Sequence, residues 1–224
     1  MKFADLLLFD IDGTLVRRAG PHHRLALVEG VRQVMGIETT TEGIPVHGML
    51  DTDILTQMMQ RIGFEDGRIL SSLPAIIAVA EEVYEGSVPD IRMARCPGVE
   101  PLLERLKDQG IPLALVTGNV TRIGWKKLER AGLDEYFDFG AFAEMAPTRG
   151  GLVKLAIEHA RNKGLIGKTA RIAHVGDAPQ DIRAAQENNI PVIAVKTGVT
   201  SAEELEELEP DHLIEDLTHW PERL

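Results

Sequence analysis

The chain has 224 residues, of which 44% are apolar and 26% charged, a composition typical of a globular protein with one large domain or a core and a smaller insert. The net charge is −11, and residues 201–224, with nine acids and one base, carry −8 of it. This stretch predicts a solvated, acidic C-terminal helix. Because no basic stripe is present, we expect no nucleic-acid partner.

The cysteine count and the N-terminus limit the class of protein further. Cys96 is the only cysteine, which excludes a disulfide within the chain and a cysteine-based zinc cluster. The first apolar run, Leu6–Phe9, is too short for a signal peptide or a membrane span. We therefore expect a cytoplasmic monomer or homodimer without a membrane partner.

Residues Leu6–Phe9 predict a strand buried on both faces, which ends at an Asp-x-Asp-Gly turn. Residues 16–92 then contain no predicted strand. Apolar residues recur there at helical spacing in three stretches, 25–35, 54–62 and 76–83. We therefore predict an all-helical cap, called here the helical insert (residues 16–92), and a core made of residues 1–15 and 93–224.

Strands and helices alternate after the helical insert. Further buried strands are predicted at 111–116, 171–175 and 191–195, and helices at 99–109, 122–130 and 151–163. This alternation predicts an α/β fold, a Rossmann-like doubly wound parallel sheet with helices on both faces.

Asp10 and Asp12 lie at the carboxyl end of the first strand, where side chains two residues apart start from the same side. Two carboxylates this close repel one another unless a cation lies near them. Mg²⁺ takes oxygen ligands and suits phosphate chemistry, so it meets this need. Taken alone, the motif is also compatible with an Asp-Gly turn that carries solvated acids.

Two further motifs follow predicted strands. In Thr117-Gly118-Asn119, a hydroxyl and two free N–H groups at the start of a helix form an anion site, although Thr117 could equally end a strand and Asn119 cap the helix. Asp177 and Asp181, four residues apart, suit one metal ligand and one supporting ligand, although Asp181 could instead only cap the next helix.

These three motifs, in this order, resemble the first, second and fourth motifs of haloacid dehalogenase-like hydrolases. The helical insert after the first motif is similar to the cap of the phosphoglycolate phosphatase-like subgroup. The resemblance implies that Asp10 attacks phosphorus to form an aspartyl-phosphate and that Asp12 acts as general acid and base.

The resemblance also implies a set of ligands. Thr117, Gly118 and Asn119 would bind the phosphoryl group. Mg²⁺ would be held by Asp10, Asp177 and the backbone carbonyl of Asp12, with support from Asp181.

The family's third motif, a lysine, has no clear counterpart. Arg149 is the preferred candidate because it can reach the site from the loop at the start of a helix, and Lys154 is the alternative. Either residue could also be a solvated surface base, and arginine and lysine are not interchangeable at such a position.

Substrate choice is expected to lie in the helical insert. The candidates that follow the first motif are Arg17, Arg18, His22 and His23, and His47 and Asp53 are placed near the start of a later helix. Any one of them could instead be a solvated helix residue.

The expected function is Mg²⁺-dependent hydrolysis of a small phosphorylated metabolite. Asp12 argues against a dehalogenase, and the absence of lysine from residues 16–92 excludes a phosphonate hydrolase with a Schiff-base lysine there. A phosphomutase of the β-phosphoglucomutase type shares all the motifs and remains open. A non-catalytic phosphometabolite-binding module would be expected to lack Asp10, Asp12 or Asp177.

Overall fold

The computed structural model describes residues 3–17 and 20–224; the predicted candidate Arg18 lies outside the described residues. Within these ranges, six parallel strands form one sheet in the order β3-β2-β1-β4-β5-β6. They are β1 Leu6–Phe9, β2 Leu113–Val116, β3 Phe139–Ala141, β4 Ile172–Gly176, β5 Val192–Val195 and β6 His212–Ile214. β1 lies at the centre because all four of its side chains are apolar and are buried on both faces. The predicted doubly wound parallel sheet is confirmed.

The described residues contain eight α-helices, some around this sheet and the others in the helical insert. They are α1 His22–Met35, α2 Asp51–Gln60, α3 Asp66–Ser87, α4 Val99–Asp108, α5 Thr121–Ala131, α6 Arg149–Asn162, α7 Pro179–Glu187 and α8 Ala202–Glu206. The helical insert contains α1, α2 and α3, and both α1 and α2 pack on α3. α4 shows how the core helices attach, because Leu102, Leu103 and Leu106 recur at helical spacing and are all buried.

The chain leaves the core for the helical insert and returns from it at one place. Val16 forms an antiparallel bridge with Arg95. The N–H of Arg17 donates to the carbonyl of Ala94 over 2.7 Å, and the N–H of Cys96 donates to the carbonyl of Leu15 over 2.9 Å. The two connections therefore run side by side.

The predicted acidic C-terminal helix is wrong. α8 covers only five residues, Ala202–Glu206, and His212–Ile214 instead pairs with β5 at the edge of the sheet. Glu209 has a left-handed φ of 52° and precedes Pro210, and a residue before proline is disfavoured in the right-handed helical region. The helix therefore ends and the chain turns back to the sheet.

Among the described residues, no helix combines the length and the apolar character that crossing a membrane requires.

Candidate active site

Polar residues follow the three central strands, β1, β2 and β4. Phe9 lies opposite Leu115 on one side and Val175 on the other, so the carboxyl ends of these strands are level. Asp10, Thr117 and Asp177 come directly after the strands and are buried. Because β2 and β4 lie on opposite sides of β1, this is the point where the strand order reverses, and a crevice at such a point is the usual ligand site of the fold.

Three carboxylates form a buried cluster in this crevice. One oxygen from each of Asp10, Asp177 and Asp181 lies within 4.8 Å of the other two. Burial raises the pKa of Asp10 to about 6 despite the opposing charge of Arg149, and the charges of Asp181 and Asp12 add to the rise. Burial, with the charges of Asp10 and Asp181, holds the pKa of Asp177 well above its usual range. The cluster therefore has more negative charge than its surroundings balance.

Asp177 is the carboxylate with an unsatisfied oxygen. Its Oδ1 accepts a hydrogen bond from Thr14 Oγ1 at 3.2 Å. Its buried Oδ2 accepts none from the described residues, and His47 Nε2 lies 3.5 Å from it. A buried acceptor without a donor is costly, so the oxygen is suited to a cation.

Gly13 lets the first motif approach Asp177 closely. Its φ of 91° is left-handed, and a Cβ at this position would collide with the Asp177 carboxylate. The turn therefore requires glycine at this position, both for its left-handed backbone conformation and because the Asp177 carboxylate leaves no room for a side chain.

Arg149 is the positive charge within the cluster. Its Nη1 donates to Asp10 Oδ1 at 3.0 Å and to the carbonyl of Val116 at 3.3 Å. Its Nε lies 3.5 Å from Asp181 Oδ1. Arg149 is the first residue of α6 rather than part of the preceding loop, and the alternative candidate, Lys154, is exposed on the same helix.

Asp181 both caps a helix and belongs to the cluster. Its Oδ2 accepts the N–H of Ala178 at 3.1 Å, ahead of α7, and His174 Nε2 lies 3.3 Å from its Oδ1. Although burial opposes the change, Arg149 and His174 hold the pKa of Asp181 below its usual range. The two roles that the sequence left open are therefore compatible in one side chain.

Asp12 is half-exposed and points to a different group of partners. Lys127 Nζ donates to its two carboxylate oxygens at 2.7 and 2.6 Å, and Asn119 Nδ2 donates to Oδ2 at 2.8 Å. Burial opposes a lower pKa, but the charge of Lys127 and the hydrogen bonds from Lys127 and Asn119 hold the pKa of Asp12 below its usual range. Asn119 Nδ2 also donates to Thr117 Oγ1 at 2.6 Å, which ties the first two motifs together.

Lys127 was not among the sequence candidates, although a signal for it exists. It lies on the stripe of α5 that also buries Ile123, Leu128 and Ala131, and only 5% of it is exposed. A lysine on the apolar face of the helix that follows the second motif is seldom a solvated surface residue.

The helical insert contacts the second motif directly. A Cβ at Gly118 would collide with the carbonyl oxygen of Met49, so the glycine lets the two backbones meet. The N–H of Asp51 donates to the carbonyl of Gly118 at 2.7 Å, and Asp51 Oδ2 accepts the N–H of Val120 at 2.9 Å. The N-terminus of α2 is therefore docked on the loop that carries Thr117.

A cavity of about 150 Å³ lies between the carboxyl edge of the sheet and the helical insert. The predicted Arg17, His22, His23 and His47 all line it. Asp53, in contrast, is exposed and does not line it. Arg24 does line it, as does Asp51, which sequence reasoning missed.

A family model of haloacid dehalogenase-like hydrolases matches residues 4–189. The chain belongs to this family. A relative in Caldanaerobacter subterraneus, provisionally named pyrophosphatase PpaX, is 31% identical over 94% of this chain and 90% of its own. A phosphoglycolate phosphatase of Agrobacterium fabrum is 27% identical over 94% of this chain and 88% of its own.

A crystal structure of a β-phosphoglucomutase from Clostridium difficile has the same fold, with a TM-score of 0.69 at 18% identity over 99% of this chain and 94% of the other. The family match and the phosphatase relatives confirm the predicted enzyme class, a phosphoric monoester hydrolase of the haloacid dehalogenase-like family.

Proposed function

We propose that this chain hydrolyses a small phosphomonoester through an aspartyl-phosphate on Asp10, in a reaction that requires Mg²⁺. The observation that carries the proposal is the buried cluster of Asp10, Asp177 and Asp181 beside Arg149 and Thr117. A site with this much negative charge is suited to a cation and, once the cation is bound, to a phosphate.

The residues present fit a magnesium ion. Asp10, Asp177 and the backbone carbonyl of Asp12 would hold it and Asp181 would support it, since they offer only oxygen and Asp177 Oδ2 accepts no hydrogen bond from the described residues. The bound ion would neutralise charge on the phosphate oxygens, which is a main part of catalysis in phosphoryl transfer.

The chain's own residues account for the two half-reactions. In the first, Asp12 takes up a proton from solvent as the substrate binds, an Asp10 carboxylate oxygen attacks phosphorus, and Asp12 gives that proton to the departing oxygen of the substrate. In the second, Asp12 takes a proton from water, the water oxygen attacks phosphorus, and phosphate leaves Asp10. The Thr117 hydroxyl and the N–H groups of Gly118 and Asn119 would bind the phosphoryl oxygens in both steps.

Substrate size and charge are limited by the cavity. Its volume of about 150 Å³ lies below the roughly 300 Å³ at which pockets for larger ligands begin. Arg17, His22 and Arg24 line its insert side and favour a compact substrate with a second anionic or polar group. We accordingly assign residues 16–92 as the specificity cap and residues 1–15 and 93–224 as the catalytic core.

We also propose that the protein is a cytoplasmic monomer or homodimer without nucleic-acid or membrane partners. The net charge of −11 and the single cysteine, Cys96, which is buried, support this assignment.

The test is phosphate release from p-nitrophenyl phosphate and from a panel of compact phosphates that includes pyrophosphate, phosphoglycolate and sugar phosphates. Release is expected with Mg²⁺, not with EDTA, and not in Asp10→Asn. Asp5→Asn is the matched control because Asp5 precedes β1 at the opposite end of the strand.

Two results would contradict the proposal. Conversion of a sugar phosphate to its isomer without phosphate release would indicate the phosphomutase reaction. Tight binding of a phosphate without turnover would indicate a non-catalytic binding module.

A further inference from the structure

We propose that Lys127 is a positioning residue for Asp12, and that His23 and Asp51 of the helical insert complete the hydrogen-bond network around Lys127. The inference rests on the proposed function, because it concerns the residue assigned there as general acid and base. It adds three residues that no motif of the sequence indicated for this role.

The ammonium group of Lys127 is fully occupied. It donates to Asp12 at 2.7 and 2.6 Å, to Asn119 Oδ1 at 2.6 Å and to His23 Nδ1, which lies 3.1 Å away. An ammonium has three N–H donors, and these three residues use all of them. Lys127 is therefore held as a structural link and is not left free to bind substrate.

The contacts of His23 fix its tautomer. Since Lys127 can only donate, Nδ1 must accept, and Nε2 must then carry the proton that it donates to Asp51 Oδ2 at 2.9 Å. The ring of Tyr84 packs edge-on against the imidazole, with 5.9 Å between centroids. Both ring nitrogens of His23 are engaged, so the residue is a link between Lys127 and Asp51 rather than a free substrate contact.

Asp51 joins this link to the phosphate-binding loop. Its carboxylate is 2% exposed and accepts from both His23 Nε2 and the N–H of Val120. One continuous set of hydrogen bonds thus runs from the insert through Lys127 to Asp12.

The arrangement couples the docked insert to the orientation of Asp12. Asp12 must face the departing oxygen of the substrate in the first half-reaction and the attacking water in the second. Lys127 and Asn119 both donate to its carboxylate, and movement of the insert away from α5 would remove His23 from Lys127 and Asp51 from Val120. Asp12 is therefore held in place most firmly when the insert covers the cavity.

The test compares Lys127→Met, Lys127→Arg and the control Lys126→Met in steady-state and acid-quench experiments with Mg²⁺ and p-nitrophenyl phosphate. Lys126 is the adjacent lysine of α5 and pairs with Glu129 away from the site. In Lys127→Met, kcat is expected to fall about tenfold to a hundredfold with KM changed less than about threefold, because general acid-base catalysis is impaired and binding is not. Lys127→Arg should recover part of the lost kcat, since it restores a cationic donor.

The acid quench separates this inference from the proposed function. Wild type and Lys127→Met should both form a phosphoenzyme on Asp10, because Asp10 and the carboxylate cluster are unchanged. If wild type forms none, the proposed function fails. If wild type forms it and Lys127→Met keeps the kcat of Lys126→Met, or Lys127→Arg is no better than Lys127→Met, only the positioning role is overturned.

His23 supplies a second measurement. His23→Phe removes both ring contacts and should lower kcat, while His23→Asn, which can keep an acceptor near Lys127, should lower it less. The losses in Lys127→Met and His23→Phe should be less than additive in the double variant, as expected for residues of one network. Additive losses would overturn the link between the insert and Asp12.

Discussion

Arg149 Nη1 donates a hydrogen bond to Asp10 Oδ1 over 3.0 Å, and the same nitrogen lies 3.3 Å from the carbonyl oxygen of Val116. The proposed nucleophile is thus held by a guanidinium that is itself anchored to the end of the neighbouring strand. In the proposed assignment, Arg149 takes the place of the family's usual lysine with a planar, multidentate head group.

Arg149→Lys is expected to lower kcat by about tenfold or more, because an ammonium is a single point charge and cannot reproduce these contacts. Arg149→Ala should also lower the free energy of unfolding by about 3–5 kcal/mol, since it leaves buried carboxylates unpaired. Steady-state kinetics and thermal melts measure both effects. Lys154→Ala, an exposed change on the same helix, is the control; a larger kinetic loss there would reverse the assignment.

Asp177→Ala should weaken Mg²⁺ binding more than Asp181→Ala does. Asp177 Oδ2 has no hydrogen-bond donor among the described residues, whereas Asp181 already bonds to Ala178 and lies against Arg149 and His174. Calorimetric titration of the two folded variants with Mg²⁺ measures the difference without relying on turnover. Asp5→Ala serves as the control, and equal affinities would show that the ranking is wrong.

The increase in melting temperature produced by Mg²⁺ should grow as pH rises from about 5 to about 7. The folded pKa of Asp10, about 6, is raised above its unfolded value, and that of Asp177 is raised too. Protonated Asp10 and Asp177 therefore stabilise the folded state fully at a pH below their pKa values in the unfolded chain. This contribution is lost as the pH rises through their pKa values in the folded protein. Mg²⁺ binds the ionised carboxylates and offsets this loss.

Melts at each pH in excess Mg²⁺ and in EDTA give the metal-dependent difference. The pKa values of Asp12 and Asp181 are lowered, so their titration lies at lower pH and leaves this window unaffected. In Asp177→Asn this Mg²⁺-dependent difference in melting temperature should change less with pH than in wild type. If the Mg²⁺-dependent difference in melting temperature of wild type is the same at pH of about 5 and about 7, the prediction is contradicted.

Arg17→Ala and His22→Ala should each lower kcat/KM for the best compact substrate about tenfold while sparing p-nitrophenyl phosphate. Both residues line the insert side of the cavity, and one lost charge-assisted hydrogen bond is worth about 1.5 kcal/mol. Arg18→Ala belongs in the same comparison. Arg68→Ala, whose guanidinium lies over the ring of Phe64, is a control in α3; equal losses on both substrates would instead indicate a role in the core chemistry.

The motifs could be located from sequence because each directly follows a buried apolar strand. Parallel strands end at one edge of the sheet, so Asp10, Thr117 and Asp177 had to lie close together once the strands were identified. β3 was missed because it has only three residues, too few for a periodic signal.

Asp51 could not be placed in the same way, because its contacts with Gly118 and Val120 depend on how the insert docks on the core. In α2, Asp53 was expected to contribute to substrate choice, but Asp51 is the residue that lines the cavity. Two residues along a helix correspond to a rotation of about 200°, so an error of two positions exchanges the docked face for the solvent face.

Because the chain leaves and re-enters the core side by side at Val16 and Arg95, the insert is attached to the core at a single place and can be replaced as a unit. Whatever lies between these two anchor points, the strands of the sheet keep their spacing, and lengthening the intervening segment adds only a slowly growing closure cost. Under the proposed assignment, one set of catalytic carboxylates can be combined with inserts of different length and selectivity. Evolution or design can then exchange the specificity without rebuilding the chemistry.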